Sequence, residues 1–400
     1  VSEGGSLLDP SRLGELGDRL SQLGLDGWLL YDFREQNPVA RALIGRGTRT
    51  RRAFAYLPRE GEPVLLLHPV DQSSAPEWRW ARRSYPDAET LPTALRGILG
   101  GARSIAMEIS PGGALPMVDR VPGGILELVR GVGVGIGTSS QLIGPMLATW
   151  SPAQREGHRR AAAHLEQIAR GAIEWAGAGV GRGAAIREGE LVGWILDRMS
   201  RAGIDREAGC LVAGGARAAD PHYHPPREGG ELLEPESPLL LDLWGACGPG
   251  APADQSWMGY LGTSPSRELL ALWEAVRVAR DQALDFIRGR VEAGVPIRGW
   301  EVDAQARRAI GERGLDPYFL HRLGHSIDGS LHGLGPNLDS FETVDDRPLL
   351  AGMGFSVEPG LYLPGVCGLR SEVNVYLLPR GIEVTPPRPQ QELLLAGGGG

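Results

Sequence analysis

The sequence predicts two domains, an α/β domain over residues 1–146 and a second domain of α/β or α+β layers over residues 147–400. Three observations carry this expectation. At 400 residues and 42% hydrophobic content, the chain exceeds what one ordinary core holds. Ser151-Pro152, a cap residue followed by proline, marks the start of a long helix after a series of shorter elements. Apolar runs of strand length alternate with helix-period segments on both sides of that point.

Taken in order, Asp9-Pro10 reads as a cap and first turn, with Leu13, Leu16, Leu20 and Leu23 following at helical spacing. Trp28-Leu29-Leu30-Tyr31 reads as a strand, as does Ser104-Ile105-Ala106-Met107. Residues 53–57 and 64–67, separated by the turn-rich Pro58 to Pro63, read as paired strands. The histidines and carboxylates of this first domain, His68 among them, form no cluster assignable to chemistry. Beyond Ser151, Ala161, Leu165, Ile168 and Ile173 share one helix face, and further helices are expected at 188–201, 266–288 and 301–313. Leu239-Leu240-Leu241 and Phe355-Ser356-Val357 read as strands. Spacing alone leaves the choice between α/β and α+β layers open.

Composition removes several function classes. A formal charge of -8 gives no broad positive field, so nucleic acid is not an expected partner. No lysine occurs, and all 41 basic residues are arginine, which excludes lysine Schiff bases, a pyridoxal phosphate anchor and the P-loop lysine. Cys210, Cys247 and Cys367 are odd in number and widely spaced, which fits a reducing cytoplasm. No apolar stretch approaches the roughly 18 to 20 residues of a membrane span, and Val1 to Gly5 carries no secretory signal pattern. The Gly397 to Gly400 tail reads as disordered.

Two motifs are set aside. Gly133-Val134-Gly135-Ile136-Gly137 follows a helix rather than a strand, so it reads as a loop or short strand, not a dinucleotide loop. Gly324-His325-Ser326-Ile327-Asp328 ends in aspartate where a nucleophile elbow needs glycine, which leaves a serine hydrolase as a secondary reading.

Metal-capable side chains instead collect at the ends of apolar runs, where an ionised carboxylate is costly unless it is paired or binds a cation. Asp242 ends Leu239-Leu240-Leu241, and Asp254 follows across the turn-rich 248–252, so a hairpin would bring both together. Glu358 ends Phe355-Ser356-Val357, Glu372 lies within the strand-like 370–375, and His325 would add an imidazole. Four carboxylates and one histidine form a hard, oxygen-rich set that suits two divalent ions better than one.

The order Asp242, Asp254, His325, Glu358, Glu372 resembles that of the pita-bread metallopeptidases, a family of methionine aminopeptidase, aminopeptidase P, prolidase and the metal-free creatinase. Leu240-Leu241-Asp242-Leu243, Gly324-His325-Ser326-Ile327, Val357-Glu358-Pro359-Gly360 and Arg370-Ser371-Glu372 match its motifs. The resemblance covers about residues 151 to 390, and the preceding domain is similar to the creatinase-type N-terminal domain. It implies an α/β creatinase-like N-terminal domain over 1–146 and an α+β pita-bread catalytic domain over 147–400. The added first domain favours the proline-specific branch, in which the N-terminal domain of one subunit borders the site of its dimer partner.

By the same resemblance, Asp242, Asp254, His325, Glu358 and Glu372 would bind two divalent ions, Mn, Zn or Co, about 3.5 to 4 Å apart. Those ions would activate a bridging water. Glu358 would move its proton to the leaving nitrogen, and His332 and His222 would stabilise the oxyanion. His321, one turn before His325 if that segment is helical, would support it, and Arg370 would balance the carboxylates. The implied substrate is a short peptide with proline second, cleaved by a prolidase or aminopeptidase P type of enzyme that is a cytoplasmic homodimer. The alternatives are a catalytically silent peptide-binding module and a metal-free, creatinase-like amidinohydrolase.

The chain departs from the family where Tyr-x-Ser-Asp-x-Thr-Arg-Thr is replaced by Ala251-Pro252-Ala253-Asp254-Gln255-Ser256-Trp257. Trp257 would then either line a reshaped substrate pocket or pack beneath the sheet. Asp328 stands where the family has glycine, and Gly333 follows His332 where many members have glutamate.

Overall fold

The computed structural model describes residues 8–226 and 229–396, so the expectations for Val1 to Gly5 and for the Gly397 to Gly400 tail lie outside the described residues. The chain divides into two compact units, the first ending at Leu147 and the second beginning at Ala148.

In the first unit the Asp9 carboxylate accepts from Ser11 N and Arg12 N and starts α1 (Pro10–Gln22), which buries Leu16 and Leu20. A six-stranded sheet follows, composed of β1 (Gly27–Phe33), β2 (Arg52–Pro58), β3 (Val64–Leu67), β4 (Ala81–Ser84), β5 (Ser104–Met107) and β6 (Gly135–Thr138). Its order is β4-β3-β2-β1-β5-β6; β1, β2 and β3 pair antiparallel and the flanking strands pair parallel. α2 (Pro38–Ile44), α3 (Leu91–Leu99), α4 (Gly123–Gly131) and α5 (Ser140–Leu147) complete the unit. The glycine-rich run ends in edge strand β6. The carboxylates here are not all isolated: buried Glu108 accepts from Trp28 Nε1 and Asn37 Nδ2, and buried Asp32 pairs with Arg49. These bonds satisfy groups inside the core.

The second unit opens with α6 (Pro152–Gly181), capped reciprocally by Ser151 and Gln154. α7 (Glu188–Arg201), β7 (Ile204–Gly214), β8 (Pro238–Cys247), β9 (Ala253–Tyr260), α8 (Arg267–Glu292), β10 (Ile297–Arg298) and α9 (Gly299–Gly311) follow. The remainder is β-rich: β11 (Ser326–Ile327), β12 (Pro348–Leu349), β13 (Gly354–Val357), β14 (Gly360–Leu363), β15 (Cys367–Arg370), β16 (Val373–Leu377), β17 (Ile382–Thr385) and β18 (Leu394–Leu395). One sheet runs β18-β9-β8-β7, a second runs β11-β13-β16-β17, and β14-β15 and β10-β12 are two-stranded. α6 and α7 share a core with one face of the first sheet, whereas α8 and α9 share theirs with β13, β15 and β16. Helix pairs over largely antiparallel sheets settle the layers as α+β.

Strand parity decides which side chains reach the interior. On β8, Leu239, Leu241 and Leu243 pack toward α6 and α7, so Leu240 and Asp242 point the other way. On β9, Ala253 and Trp257 join the helix-side core and Gln255 donates to Ala162 O of α6, while Asp254 and Ser256 face inward. Trp257 is 1% exposed, beneath Arg170. The pocket reading of Trp257 is therefore corrected: it lies on the sheet face opposite the carboxylates and serves packing. No helix among the described residues is long and apolar enough to cross a membrane.

Trp257→Ala should accordingly cost about 3 to 5 kcal/mol in a denaturant titration, the usual cost of emptying a large core site. A loss below about 1 kcal/mol would contradict the packing role.

Candidate active site

Two hairpins bring the acidic residues together. β8 and β9 pair with Asp242 opposite Ser256 and Trp244 opposite Asp254, which sets both aspartates on one face two positions apart. β13 runs into β14 through Glu358-Pro359, and β15 runs into β16 through Ser371-Glu372, with Gly360 paired to Arg370 and Val357 to Val373. Glu358 and Glu372 thus flank one hairpin root. Asn374 joins the two sets: its side chain accepts from Asp254 N at 2.9 Å and donates to Asp254 O at 2.8 Å.

His325 sits just before β11, locked to β13 by its backbone N–H on Ser356 Oγ and by its carbonyl, which accepts from Ser356 N. Gly324 permits this approach. A Cβ there would lie 2.1 Å from the Ser356 carbonyl oxygen. His325 Nδ1 lies 3.2 Å from Ser326 O, a partner that only accepts, so Nδ1 carries a proton, and Nε2 faces the carboxylates. Nε2 is 3.3 Å from Asp254 Oδ2 and 3.5 Å from Glu358 Oε1.

Asp254, His325 and Glu372 each offer a donor atom within 4.8 Å of the others, and all three are buried. Asp254 Oδ1 and Glu372 Oε1 are buried without a hydrogen-bond partner among the described residues. Glu358 borders this group through His325 and accepts from Ser356 Oγ at 3.0 Å. Asp242 stands at its other edge, accepting from Ser256 Oγ at 3.0 Å and pairing with Arg370 Nη2 at 2.5 Å. The donor set and the orphaned oxygens fit divalent cations.

The electrostatics describe the same strain. Burial, then the charges of Asp254, Glu358 and Asp242, push the Glu372 carboxyl well above its ordinary range. Burial and then Asp242 raise Asp254. Burial pulls His325 down, but Asp254 and Glu358 outweigh it and hold the imidazole above its usual value. Glu358 differs: burial raises it, yet His325, His321 and Arg370 together hold it below the normal carboxylate range.

The remaining sequence-selected residues are placed unequally. His332 is exposed, with its ring centroid 4.4 Å from that of His325. His222 is exposed on the loop after β7; its backbone bonds to Asp220, and its ring has no hydrogen bond among the described residues, so it is not brought into the cluster. The segment from His321 to His325 is not helical, which corrects the expected helix-face support. His321 instead places Nδ1 on Arg322 O and Nε2 2.9 Å from Tyr362 Oη, whose oxygen accepts from Arg370 Nη1. The serine-hydrolase reading also lapses, because Ser326 is buried in β11 with no helix after it.

Sequence reasoning missed Ser256, Ser356 and Tyr362. Ser256 Oγ lies within hydrogen-bond reach of Asp242, Glu372 at 2.8 Å and Arg370 at 2.7 Å, and so links β8, β9 and β15. Its signal was available only as parity, two residues after Asp254 on one strand.

With this geometry established, comparison with known proteins is direct. The model of metallopeptidase family M24 matches residues 156–378, a segment that contains every carboxylate of the cluster and His325. The chain is similar to Probable dipeptidase PepE of Mycobacterium tuberculosis, 26% identical over 338 residues and 82% of each chain. It is also similar to the Xaa-Pro dipeptidase of Lactobacillus delbrueckii subsp. lactis, 33% identical over 162 residues and 40% of each chain. The crystal structure of dipeptidase PepE from Mycobacterium ulcerans matches with a TM-score of 0.74 at 24% identity, covering 96% of this chain and 97% of that one. That likeness carries the fold, a creatinase-like α/β domain and an α+β pita-bread domain. The family match spans more than half of the 400 residues, and the chain belongs to metallopeptidase family M24.

Proposed function

We propose that this metallopeptidase is a dinuclear Xaa-Pro peptidase of the prolidase or aminopeptidase P type. The observation that carries the metal reading is the pair of buried, unpartnered oxygens, Asp254 Oδ1 and Glu372 Oε1, beside the inward-facing Nε2 of His325. Asp242, Asp254, His325, Glu358 and Glu372 would hold two divalent ions, of the Mn, Zn or Co type. When bound, these ions supply Lewis acidity to the scissile carbonyl and acidity to the nucleophilic water.

The side chains do the rest. Glu358, whose carboxyl His325, His321 and Arg370 hold below the ordinary range and Ser356 Oγ orients, accepts the proton of the attacking water and returns it to the leaving nitrogen. Arg370 offsets charge on Asp242 and through Ser256 keeps the strands in register. His332, beside His325, donates to the developing oxyanion. The prolyl nitrogen leaves from a tertiary amide without N–H, so its departure depends on proton delivery. The relative from Lactobacillus, an Xaa-Pro dipeptidase by name, supports the proline preference. In this reading residues 1–146 are the creatinase-like domain, 147–400 the catalytic domain, and the protein is a cytoplasmic homodimer.

Metal analysis of the purified protein should find close to two divalent ions per chain, and a chelator should abolish Xaa-Pro hydrolysis. Asp254→Ala and Glu358→Ala should lower both metal content and rate. Full activity after metal removal would replace this mechanism with a metal-free amidinohydrolase; metal-loaded protein inert on all peptides would make it a silent binding module.

The two histidine roles should separate. His325→Ala should lose metal, whereas His332→Ala should keep it and lose about 100-fold in rate on an Xaa-Pro dipeptide. If both variants keep metal and rate, the assignments are wrong.

A further inference from the structure

The loop from Asp328 to Leu334 departs from the family at two positions, and the structure makes them one exchange. Asp328 is 7% exposed, and its carboxylate spans the loop: Oδ1 accepts from Ser330 N at 2.9 Å and Oδ2 from Leu334 N at 2.7 Å. These bonds lie on either side of His332. The loop is held further by Gly333 N on Ser326 O at 2.7 Å and by Leu331 N on Glu207 Oε2 at 2.7 Å. Every one of these bonds fixes backbone within two residues of His332, whose own ring is exposed and rests beside His325.

Gly333 completes the arrangement. A Cβ at this position would lie 2.8 Å from both Cγ and Oδ2 of Asp328 and 2.9 Å from Ser326 Oγ. The Asp328 carboxylate cannot swing aside, because two backbone N–H groups hold it. This chain carries the acid at 328 and the glycine at 333, and the space a side chain at 333 would need is the space the Asp328 carboxylate occupies.

We propose that Asp328 is the positioning residue for His332, and that Gly333 is obligatory because the Asp328 carboxylate fills the space a side chain there would need. The consequence for rate rests on the oxyanion role assigned to His332 above; the consequence for loop geometry does not. Asp328→Asn removes one acceptor and turns an amide donor toward a backbone N–H, which loosens the loop without adding bulk. Gly333→Ala adds one methyl group against the carboxylate.

The test uses the full-length, zinc-loaded protein with 13C-labelled histidine and reads three quantities: kcat and KM on an Xaa-Pro dipeptide, zinc content, and the His332 ring resonance, assigned by its loss in His332→Ala. In Asp328→Asn and in Gly333→Ala, kcat should fall by about 10-fold or more, with KM and zinc content within about twofold of wild type, and the His332 resonance should move. The double substitution Asp328→Gly with Gly333→Glu should lose less than the summed losses of Asp328→Gly and Gly333→Glu measured singly, because the side chain at 333 then meets no carboxylate. Wild-type kcat with an unmoved His332 resonance in Asp328→Asn would overturn the proposal, as would strictly additive losses in the double variant. If the wild-type protein cleaves no dipeptide, the peptidase reading fails, and the resonance alone decides whether Asp328 positions His332. Should Gly333→Ala not fold, the isosteric Asp328→Asn, which adds no bulk, decides by the same two readouts.

Discussion

The second unit is organised around a repulsion. Asp242, Asp254, Glu358 and Glu372 converge in a buried space with one imidazole and one guanidinium among them. Taking an ion out of water costs on the order of several kcal/mol even after relaxation, and like charges add to that cost. The side chains absorb part of it by pairing Asp242 with Arg370 and by raising the proton affinity of Glu372, Asp254 and His325. What stays uncompensated, two orphaned carboxylate oxygens and an imidazole nitrogen aimed at carboxylates, is what a divalent cation compensates.

The fold sustains this by making the acidic residues part of rigid strands. Parity on β8 and β9 sends leucines and Trp257 to the helices and the aspartates inward, so the energy that packs α6 and α7 also holds the aspartates in place. Glu358 and Glu372 are tied by the β14-β15 hairpin, and Asn374 couples them to Asp254. Serine hydroxyls then set the fine geometry, Ser256 among Asp242, Glu372 and Arg370, and Ser356 between His325 and Glu358. Displacing any of these strands moves several donors at once.

Much of the architecture was legible because it follows local rules. Caps at Asp9 and Ser151 and apolar periodicity located helices, and the turn-rich 248–252 between Asp242 and Asp254 announced their hairpin. Carboxylates ending apolar runs were conspicuous because burial makes them expensive. What remained hidden depends on register and distant partners. Trp257 was ambiguous until the parity of β9 was known, and His321 was misread because a four-residue spacing suggests a helix only where one exists. Ser256 and Ser356 look ordinary in sequence, since their meaning lies in contacts with other strands. The exchange between Asp328 and Gly333 was visible as two separate departures, and only the space between the two positions unites them.

The central claim, that this cluster is built to exchange protons for divalent ions, is tested most directly by calorimetric metal titration in buffers of differing ionisation enthalpy. Without a cation, burial and mutual repulsion raise the proton affinity of Glu372, and the charges of Asp254 and Glu358 raise that of His325, so bound metal competes with protons at both. At pH 7 the account predicts a net release on the order of one proton or more per chain as the sites fill. Tight metal binding with no proton release would contradict it.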